Sequence, residues 1–491
     1  MNKTAKNSVV YLAGTVVIGI LGFVNTMVLT RVLSTRVYAM YGLLISVATT
    51  IMMFLSFGFD SAYMRFYYNN GHTKKKFLWM SLKPSLILFC VFALAILEPT
   101  HTLLKYIFET DISFWVALIF IAYIFFATVH RFTQLTARME EFAGNYIASN
   151  IAAKSGFIIF ILAFFLIFKM ADLGDIPFYL VLLSFATSSV LSVIINVFIF
   201  SKASKSCEVI SDQKALAITH KDLFKYGFPY MINNVIVLVI PTIEKIIIRD
   251  QGSWDLLGIF TAAAVFQTVV SLLQHTLNNI WQPIAFKNCD DKEKFSNILH
   301  NFGLLSTVLV ALAFVVFLFL RRWLVLFLDS NYYSVYIIMP TIMLGSCFNI
   351  ITLIYSIGID IQKKTYHLVI APIIQGVLSI VLCFWLIPEM GLIGVAIATL
   401  VSQVAAKTYR IIVGVALYGT GRVEWKPVVV IGLCCVVAIT SLFFTGFVFD
   451  AIFTCLILAV LVLTVNKEAM ALFKYFKNIL KPQKRLSNDK K

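Results

Sequence analysis

The chain has 491 residues, of which 60% are hydrophobic and only 13% are charged. Soluble domains usually carry about 25% charged residues, so this composition excludes a water-soluble protein and predicts a polytopic membrane protein. The net charge of +16 would suggest a nucleic-acid partner on a soluble protein, but cytoplasmic loops of membrane proteins also collect Lys and Arg.

Apolar stretches that are long enough to cross a bilayer recur along the whole chain. A hydrocarbon core of about 30 Å requires about 20 residues of α-helix. We predict fourteen spans, at residues 8–30, 39–63, 78–97, 114–130, 143–168, 178–200, 226–248, 256–281, 298–320, 336–358, 367–387, 392–413, 427–447 and 451–465. The predicted fold class is all-α: a polytopic membrane protein with about 14 transmembrane helices, in two six-helix bundles plus two C-terminal helices.

Lys and Arg are distributed unevenly between the two sides of these spans. With fourteen spans both termini share a side, and 30 of the 40 Lys and Arg residues fall in segments on that side, against 7 on the other. The remaining three, Lys83, Lys154 and Lys245, are assigned to the spans themselves. The bias places both termini in the cytoplasm. It also accounts for most of the net charge, so we expect no nucleic-acid partner.

A weak internal repeat divides the chain. Tyr146 and Gly156 in the fifth span align with Tyr366 and Gly376 in the eleventh at a constant offset. Six-helix halves would both enter from the cytoplasm, as parallel repeats do. We predict an N-terminal bundle at 8–200, a cytoplasmic linker at 201–225, a C-terminal bundle at 226–413, two additional helices at 427–465 and a basic cytoplasmic tail at 466–491.

Motifs of enzymes and of metal sites are absent from the sequence. It contains no G-x-S-x-G, no H-E-x-x-H, no P-loop and no paired-cysteine metal site. We therefore expect no catalytic residue, no cofactor and no metal. Polar residues inside the spans become the candidates for function, because an unpaired polar group is costly in lipid.

The eighth span carries the clearest polar stripe. Gln267, Ser271, Gln274 and Asn278 occur at i, i+4, i+7 and i+11, which places them on one face of a helix. Each unsatisfied polar group in hydrocarbon costs several kcal/mol, so this face does not point at lipid. It either lines a wet cavity that binds sugar hydroxyls or joins two helices through its amides.

Charged residues in two other spans are further candidates. Lys154 lies about 11 residues into the fifth span, hence about 16 Å deep at 1.5 Å per residue, where it faces either an anionic ligand or a structural partner. Glu244 and Lys245 lie near the end of the seventh span. They form either an interfacial pair or part of substrate binding and ion coupling.

Three charged residues close the first two spans. Arg31 and Arg65 are either simple end anchors or contacts at the rim of a substrate cavity. Asp60 is the second candidate for ion coupling, after Glu244.

Several sequence segments resemble one known family. They are TRVLSTRVYAMYGLL, FGFDSAYMRF, KYGFPYMINN, LGIFTAAAVFQ, NNIWQPIAF, DSNYYSVYIIMP, IGIDIQKKTYH and LIPEMGLIGVAIATLVSQ. Together they cover most of residues 8–413, and they resemble the polysaccharide (O-antigen type) flippases of the MOP exporter superfamily. That family often has Asp-Arg late in the seventh span, where this chain has Glu244 and Lys245.

The resemblance implies twelve core helices in two halves around a polar cavity. It implies export of lipid-linked (polyprenyl pyrophosphate) oligosaccharide repeat units across the bacterial cytoplasmic (inner) membrane by alternating access, with basic residues such as Lys154 and Lys245 on the pyrophosphate. Expected partners are that substrate, membrane lipid, a polysaccharide polymerase and a chain-length regulator. The alternatives are a multidrug or metabolite cation antiporter of the related branch, and a non-transporting scaffold for polysaccharide assembly.

Overall fold

The protein is built from α-helices, and no strand occurs among the residues that the computed structural model describes, which are 3–67, 74–110, 113–140, 142–203, 218–362, 364, 366–418 and 425–480. The helices are α1 (Lys3–Val32), α2 (Thr35–Ser56), α3 (Phe59–Phe66), α4 (Lys74–Phe108), α5 (Phe114–Met139), α6 (Ala143–Met170), α7 (Phe178–Ala203), α8 (His220–Gln251), α9 (Trp254–Val265), α10 (Gln267–Asn288), α11 (Lys292–Val325), α12 (Val335–Tyr355), α13 (Ile357–Ile361), α14 (His367–Met390), α15 (Leu392–Tyr418), α16 (Trp425–Phe443) and α17 (Phe447–Leu480).

The predicted fold class is confirmed. Within the described residues, 13 helices are long and apolar enough to cross a membrane, and a shorter apolar helix covers Phe447–Leu463. That shorter helix corresponds to the fourteenth predicted span. Every predicted span therefore falls on helix, because a run of about 20 apolar residues satisfies its backbone hydrogen bonds internally only in that form.

Three predicted spans are each divided into two helices. The second span is interrupted between α2 and α3, where Phe57 and Gly58 both adopt positive φ angles of 49° and 73°. The eighth span is interrupted at Phe266, whose amide donates to Ala263 O, and the tenth at Ser356, which separates α12 from α13. Left-handed backbone ends α2 at the first break, whereas Phe266 and Ser356 keep right-handed angles; hydropathy detects none of the three breaks.

The chain forms two compact units. The first contains residues 1–268, 325–335 and 376–395, and the second contains residues 269–324, 336–375 and 396–491. These bounds differ from those of the two predicted six-helix bundles, and the division into bundles stays a prediction. Most of the predicted linker lies outside the described residues, as does the tail beyond Leu480.

In the first unit, α2 is surrounded by other helices. It packs against α8 and α9, while α1 packs on α6 and α6 on α7. Glycines allow the closest approaches: a Cβ added at Gly42 would lie 2.3 Å from Thr261 Cγ2, and one at Gly258 would lie 3.0 Å from Thr35 O. Small residues let helices in a membrane approach closely, so that van der Waals contact and backbone dipoles hold them together.

The break between α2 and α3 is pressed against α8. A Cβ added at Gly58 would lie 1.9 Å from Gly227 O, and one added at Gly227 would lie 2.7 Å from Gly58 O. Phe57 stacks beside this crossing on Phe224 and Phe228, with ring centroids 5.5 and 5.7 Å apart. Main chain therefore meets main chain here, and only glycine fits at either position.

In the second unit, a buried ion pair joins α11 to α17. Arg321 Nη2 lies 2.5 Å from Asp450 Oδ1, and both side chains are fully buried. The same guanidinium donates to the backbone oxygens of Ser441 and Phe444, which lie at the end of α16 and just after it. One arginine thus connects both C-terminal helices to α11.

Candidate substrate and coupling site

The Lys154 side chain reaches from the middle of α6 to α1. Its Nζ donates to Ile18 O at 2.9 Å. A Cβ added at Gly22 would lie 2.9 Å from Lys154 Nζ. Asn25 Nδ2 in turn donates to Lys154 O at 3.5 Å. Gly22 therefore leaves room for the ammonium group, and α1 holds the half-buried lysine by main-chain contacts.

Glu244 and Lys245 point to different helices. Lys245 Nζ donates to Gly42 O at 2.8 Å and to Ser46 Oγ at 2.7 Å, both on α2. Glu244 is buried and its Oε1 accepts from Ser379 Oγ on α14 at 3.0 Å. Neighbouring residues on a helix diverge by about 100°, which is why the two charges serve separate contacts.

Lys245 belongs to a polar seam between α2 and α8. Thr50 Oγ1 lies 3.1 Å from Thr242 Oγ1, one turn along each helix from the Ser46–Lys245 contact. We define the α2–α8 seam as Ser46, Thr50, Thr242 and Lys245. Sequence reasoning did not identify the seam as a unit, although Ser46–Thr50 and Thr242–Lys245 have the i, i+4 and i, i+3 spacings of one helix face.

The polar stripe of the eighth span lies wholly on α10. Gln267, Ser271, Gln274 and Asn278 are all partly exposed. Whether this face lines a wet cavity stays a prediction. Asn278 Oδ1 is buried and accepts no hydrogen bond. A buried amide oxygen without a donor is costly. A ligand hydroxyl that donated to Asn278 Oδ1 would therefore gain more binding free energy than one at the other positions of the stripe.

The remaining predicted residues lie near helix ends. Asp60, in the first turn of α3, is fully buried and its Oδ2 accepts from Arg131 Nε at 2.9 Å and Nη2 at 2.5 Å. Arg31 and Arg65 are exposed in the last turns of α1 and α3. Among the described residues, no hydrogen bond or ion pair joins any of these to Lys154 or Lys245.

Two basic residues were missed in the second unit. The assignment of only Lys83, Lys154 and Lys245 to spans is wrong, since Lys407 and Arg410 lie within α15. The predicted span at 392–413 already contains both residues, and counting them with the following loop was an error of the charge count. The spacing of Gln403, Lys407 and Arg410 at i, i+4 and i+7 was the available signal.

Lys407 is anchored in the same way as Lys245. It is buried, and its Nζ donates to Gly345 O on α12 and to Gln403 Oε1 at 2.8 Å. Arg410 Nη2 donates to Ser356 Oγ at 3.3 Å. Burial raises the pKa of the Asp360 carboxyl on α13 above its usual value, and the nearby Arg410 guanidinium opposes that rise.

Three of the lysines in the membrane-spanning helices thus share one kind of partner. Lys154, Lys245 and Lys407 each donate to the main-chain oxygen of a neighbouring helix. In two of the three contacts that oxygen belongs to a glycine, Gly42 or Gly345, and in the third a glycine makes room for the ammonium. Such a partner satisfies one hydrogen of the ammonium without neutralising its charge.

Comparison with known proteins identifies the family. The model of the polysaccharide biosynthesis protein family matches residues 4–288, more than half of the chain. The chain belongs to this family. The resemblance inferred from the sequence segments is thereby confirmed. No curated protein sequence matches the chain.

Solved structures show which fold this family member has. A lipid II flippase, MurJ, in an inward closed conformation is 15% identical and aligns with 94% of this chain and 99% of its own, with a TM-score of 0.66. A multidrug resistance MATE family transporter of the MOP superfamily, in an inward-facing conformation, is also 15% identical, with 84% and 99% covered and a TM-score of 0.63. The polysaccharide biosynthesis protein described here has the fold of these membrane transporters.

Proposed function

We propose that the protein moves a lipid-linked oligosaccharide, carried on polyprenyl pyrophosphate, from the inner to the outer leaflet by alternating access. Membership of the polysaccharide biosynthesis family supports the substrate class, and the fold supports a flippase or transporter rather than an enzyme. The Lys and Arg distribution supports both termini on the cytoplasmic side. The bacterial cytoplasmic membrane follows from the family resemblance. A polysaccharide polymerase and a chain-length regulator would act on the exported unit.

The observation that carries the proposal is the environment of Lys154. The residue lies about 16 Å along α6 from Ala143, near the middle of a bilayer core of about 30 Å. Within the described part of the chain it donates one hydrogen bond, to Ile18 O, and no carboxylate lies within ion-pair distance. Two hydrogens of the ammonium therefore remain for an anionic ligand.

A pyrophosphate satisfies this requirement, and the other polar residues suit the sugars. Lys245, with a main-chain oxygen and a hydroxyl as partners, would add a second cation, and Arg31 and Arg65 would serve the rim of the path. The stripe of Gln267, Ser271, Gln274 and Asn278 would bind sugar hydroxyls. Without such groups each buried hydroxyl would cost about 2–7 kcal/mol.

Replacing Lys154 by Ala tests the function. We expect about 10- to 100-fold less lipid-linked oligosaccharide to be translocated, because a charge-assisted hydrogen bond is worth about 1.5–3 kcal/mol. The measurement is surface polysaccharide in a strain that lacks its own flippase, at matched protein level. Lys169→Ala, an exposed lysine at the other end of α6, is the matched control and should retain full export.

Lys154→Arg separates charge from shape in the same assay. Partial export by Lys154→Arg, with loss in Lys154→Ala, would support an anionic ligand. Undiminished export by Lys154→Ala would remove Lys154 from the route. Drug resistance without any polysaccharide phenotype would instead favour the antiporter.

Glu244 is the first candidate for coupling export to an ion gradient. Glu244→Gln keeps an oxygen that accepts from Ser379 Oγ but removes the ionisable group. We expect this variant to lose the dependence of transport on an imposed proton or sodium gradient, measured in vesicles. Ser379→Ala, which removes only the hydrogen bond, should keep it.

Gradient dependence that survives in Glu244→Gln would exclude this residue. Asp60→Asn would then be measured in the same vesicles, although its ion pair with Arg131 makes loss of stability the first expected effect.

A further inference from the structure

A cavity of about 630 Å³ lies in the first unit, beside the break between α2 and α3. Its volume is within the range of about 300–1,000 Å³ that is typical of ligand sites. The walls come from three places: the break itself, the early turns of α4 and the first turns of α8. These ends of the helices are the ones that the Lys and Arg distribution assigns to the cytoplasmic side.

Most of the cavity wall is apolar. Phe57, Phe59, Ile87, Leu88 and Phe224 line it. Ile87 and Phe224 are 54% and 47% exposed, although both belong to membrane-spanning helices. Large apolar side chains that are exposed on such helices are suited to contact with membrane lipid, so the apolar wall suits an acyl chain.

The polar part of the lining carries only nitrogen donors. Lys83, His220 and Lys221 line the cavity, and no carboxylate does among the described residues. The nearest acid in sequence, Asp222, turns away: its Oδ2 accepts from Thr219 N at 2.9 Å and from Thr219 Oγ1 at 2.6 Å, as the cap of α8. Neither lysine has an ion-pair partner within this part of the chain.

Lys83 has a depth that suits a lipid headgroup. It lies five residues after Leu78, where the third predicted span begins, hence about 8 Å into that span. Its long side chain can extend back toward the surface, where the Lys221 ammonium lies at the start of α8. The lining of the cavity therefore combines two lysines with an apolar wall.

We propose that this cavity binds an anionic membrane phospholipid, with the phosphate at Lys83 and Lys221 and an acyl chain along the aromatic wall. Basic pockets between transmembrane helices on the cytoplasmic side bind such headgroups. A soluble anion would leave the apolar wall unused, and a neutral lipid would leave the lysines without a partner. The site is distinct from Lys154 and Lys245, so the proposal does not depend on the transported substrate.

The test measures lipid binding to the purified full-length protein in detergent. Dioleoyl phosphatidylglycerol is titrated against the thermal unfolding midpoint, with dioleoyl phosphatidylcholine as the probe of equal chain length. For the wild type, we expect phosphatidylglycerol to raise the thermal unfolding midpoint and phosphatidylcholine to leave it unchanged. In the double variant Lys83→Gln/Lys221→Gln, the apparent affinity for phosphatidylglycerol should fall about 30-fold. This corresponds to about 2 kcal/mol of binding free energy for the loss of two lysines.

Two further variants make the test specific. Lys292→Gln/Lys294→Gln removes two exposed lysines from the start of α11, on the same predicted side, and should bind phosphatidylglycerol like the wild type. Leu88→Trp keeps both lysines but fills the cavity, and it should lose the response. Equal responses in all four proteins would overturn the proposal.

Other ligands of similar chemistry are separate arms of the same titration. An equal shift with inorganic phosphate would overturn the proposal in favour of a free-anion site. Tighter binding of a polyprenyl phosphate than of phosphatidylglycerol would overturn it in favour of the carrier lipid. A shift with phosphatidylcholine as large as that with phosphatidylglycerol would show that the lysines are not used.

Discussion

Replacing Asp450 by Asn is expected to lower the free energy of unfolding by about 3–5 kcal/mol, because it leaves a buried guanidinium without its counter-charge. Arg321 and Asp450 are both fully buried, at 2.5 Å. The guanidinium also donates to backbone oxygens at the end of α16, so the loss should loosen both C-terminal helices. The measurements are denaturant unfolding in detergent and proteolysis of the segment at 444–446, between α16 and α17.

The adjacent arginine provides the matched control. Arg322 Nε lies 3.7 Å from Asp450 Oδ2, and its side chain is 32% exposed. Arg322→Gln should therefore cost about 0–1 kcal/mol, as a half-exposed pair does. Equal stability of Asp450→Asn and the wild type would show that the pair does not hold α17. The double variant Arg321→Met/Asp450→Leu should recover part of the loss, because it removes both buried charges.

Replacing Gly58 by Ala should lower the free energy of unfolding by about 3 kcal/mol or more, for two separate reasons. A methyl group at Gly58 would lie 1.9 Å from Gly227 O, which is main chain and cannot rotate away. The φ angle of +73° is also unfavourable for any residue with a side chain. Overpacking costs about 1–3 kcal/mol and a strained backbone angle a similar amount. Thermal unfolding of the purified protein measures the sum.

Gly174→Ala isolates the close approach from the backbone strain. Gly174 has a φ of +79°, and nothing lies within 4 Å of its added Cβ. We expect the free energy of unfolding of this variant to fall by about 1 kcal/mol, since only the conformational preference of glycine is lost. Equal losses for Gly58→Ala and Gly174→Ala would mean that α3 and α8 are not held in contact at Gly58.

Hydropathy was sufficient to place the helices and to assign the fold class. It was insufficient at Phe57, where a non-glycine residue with positive φ ends α2. The following Gly58 was the available signal, but an isolated glycine in an apolar run is common in membrane helices. Lys407 and Arg410 were counted as loop charges although the predicted span at 392–413 contains them, and their partners within the helices are visible only in the structure.

The partners of the lysines could not be predicted from the sequence. Every residue has a main-chain oxygen, so nothing in the sequence distinguishes Ile18 O and Gly42 O as the acceptors. The pairing of Arg321 with Asp450, 129 residues apart, depends on tertiary packing in the same way. Residue types and helix faces were predictable, whereas the choice of neighbouring helix was not.

The Gly58–Gly227 crossing contains no ionisable group and no side chain. Acidification or added salt should therefore leave the contact itself unchanged, because main-chain atoms in van der Waals contact do not titrate and are not screened. Any effect of an ion gradient on the separation of α3 from α8 would have to begin at carboxylates elsewhere and reach the crossing through the helices that carry them.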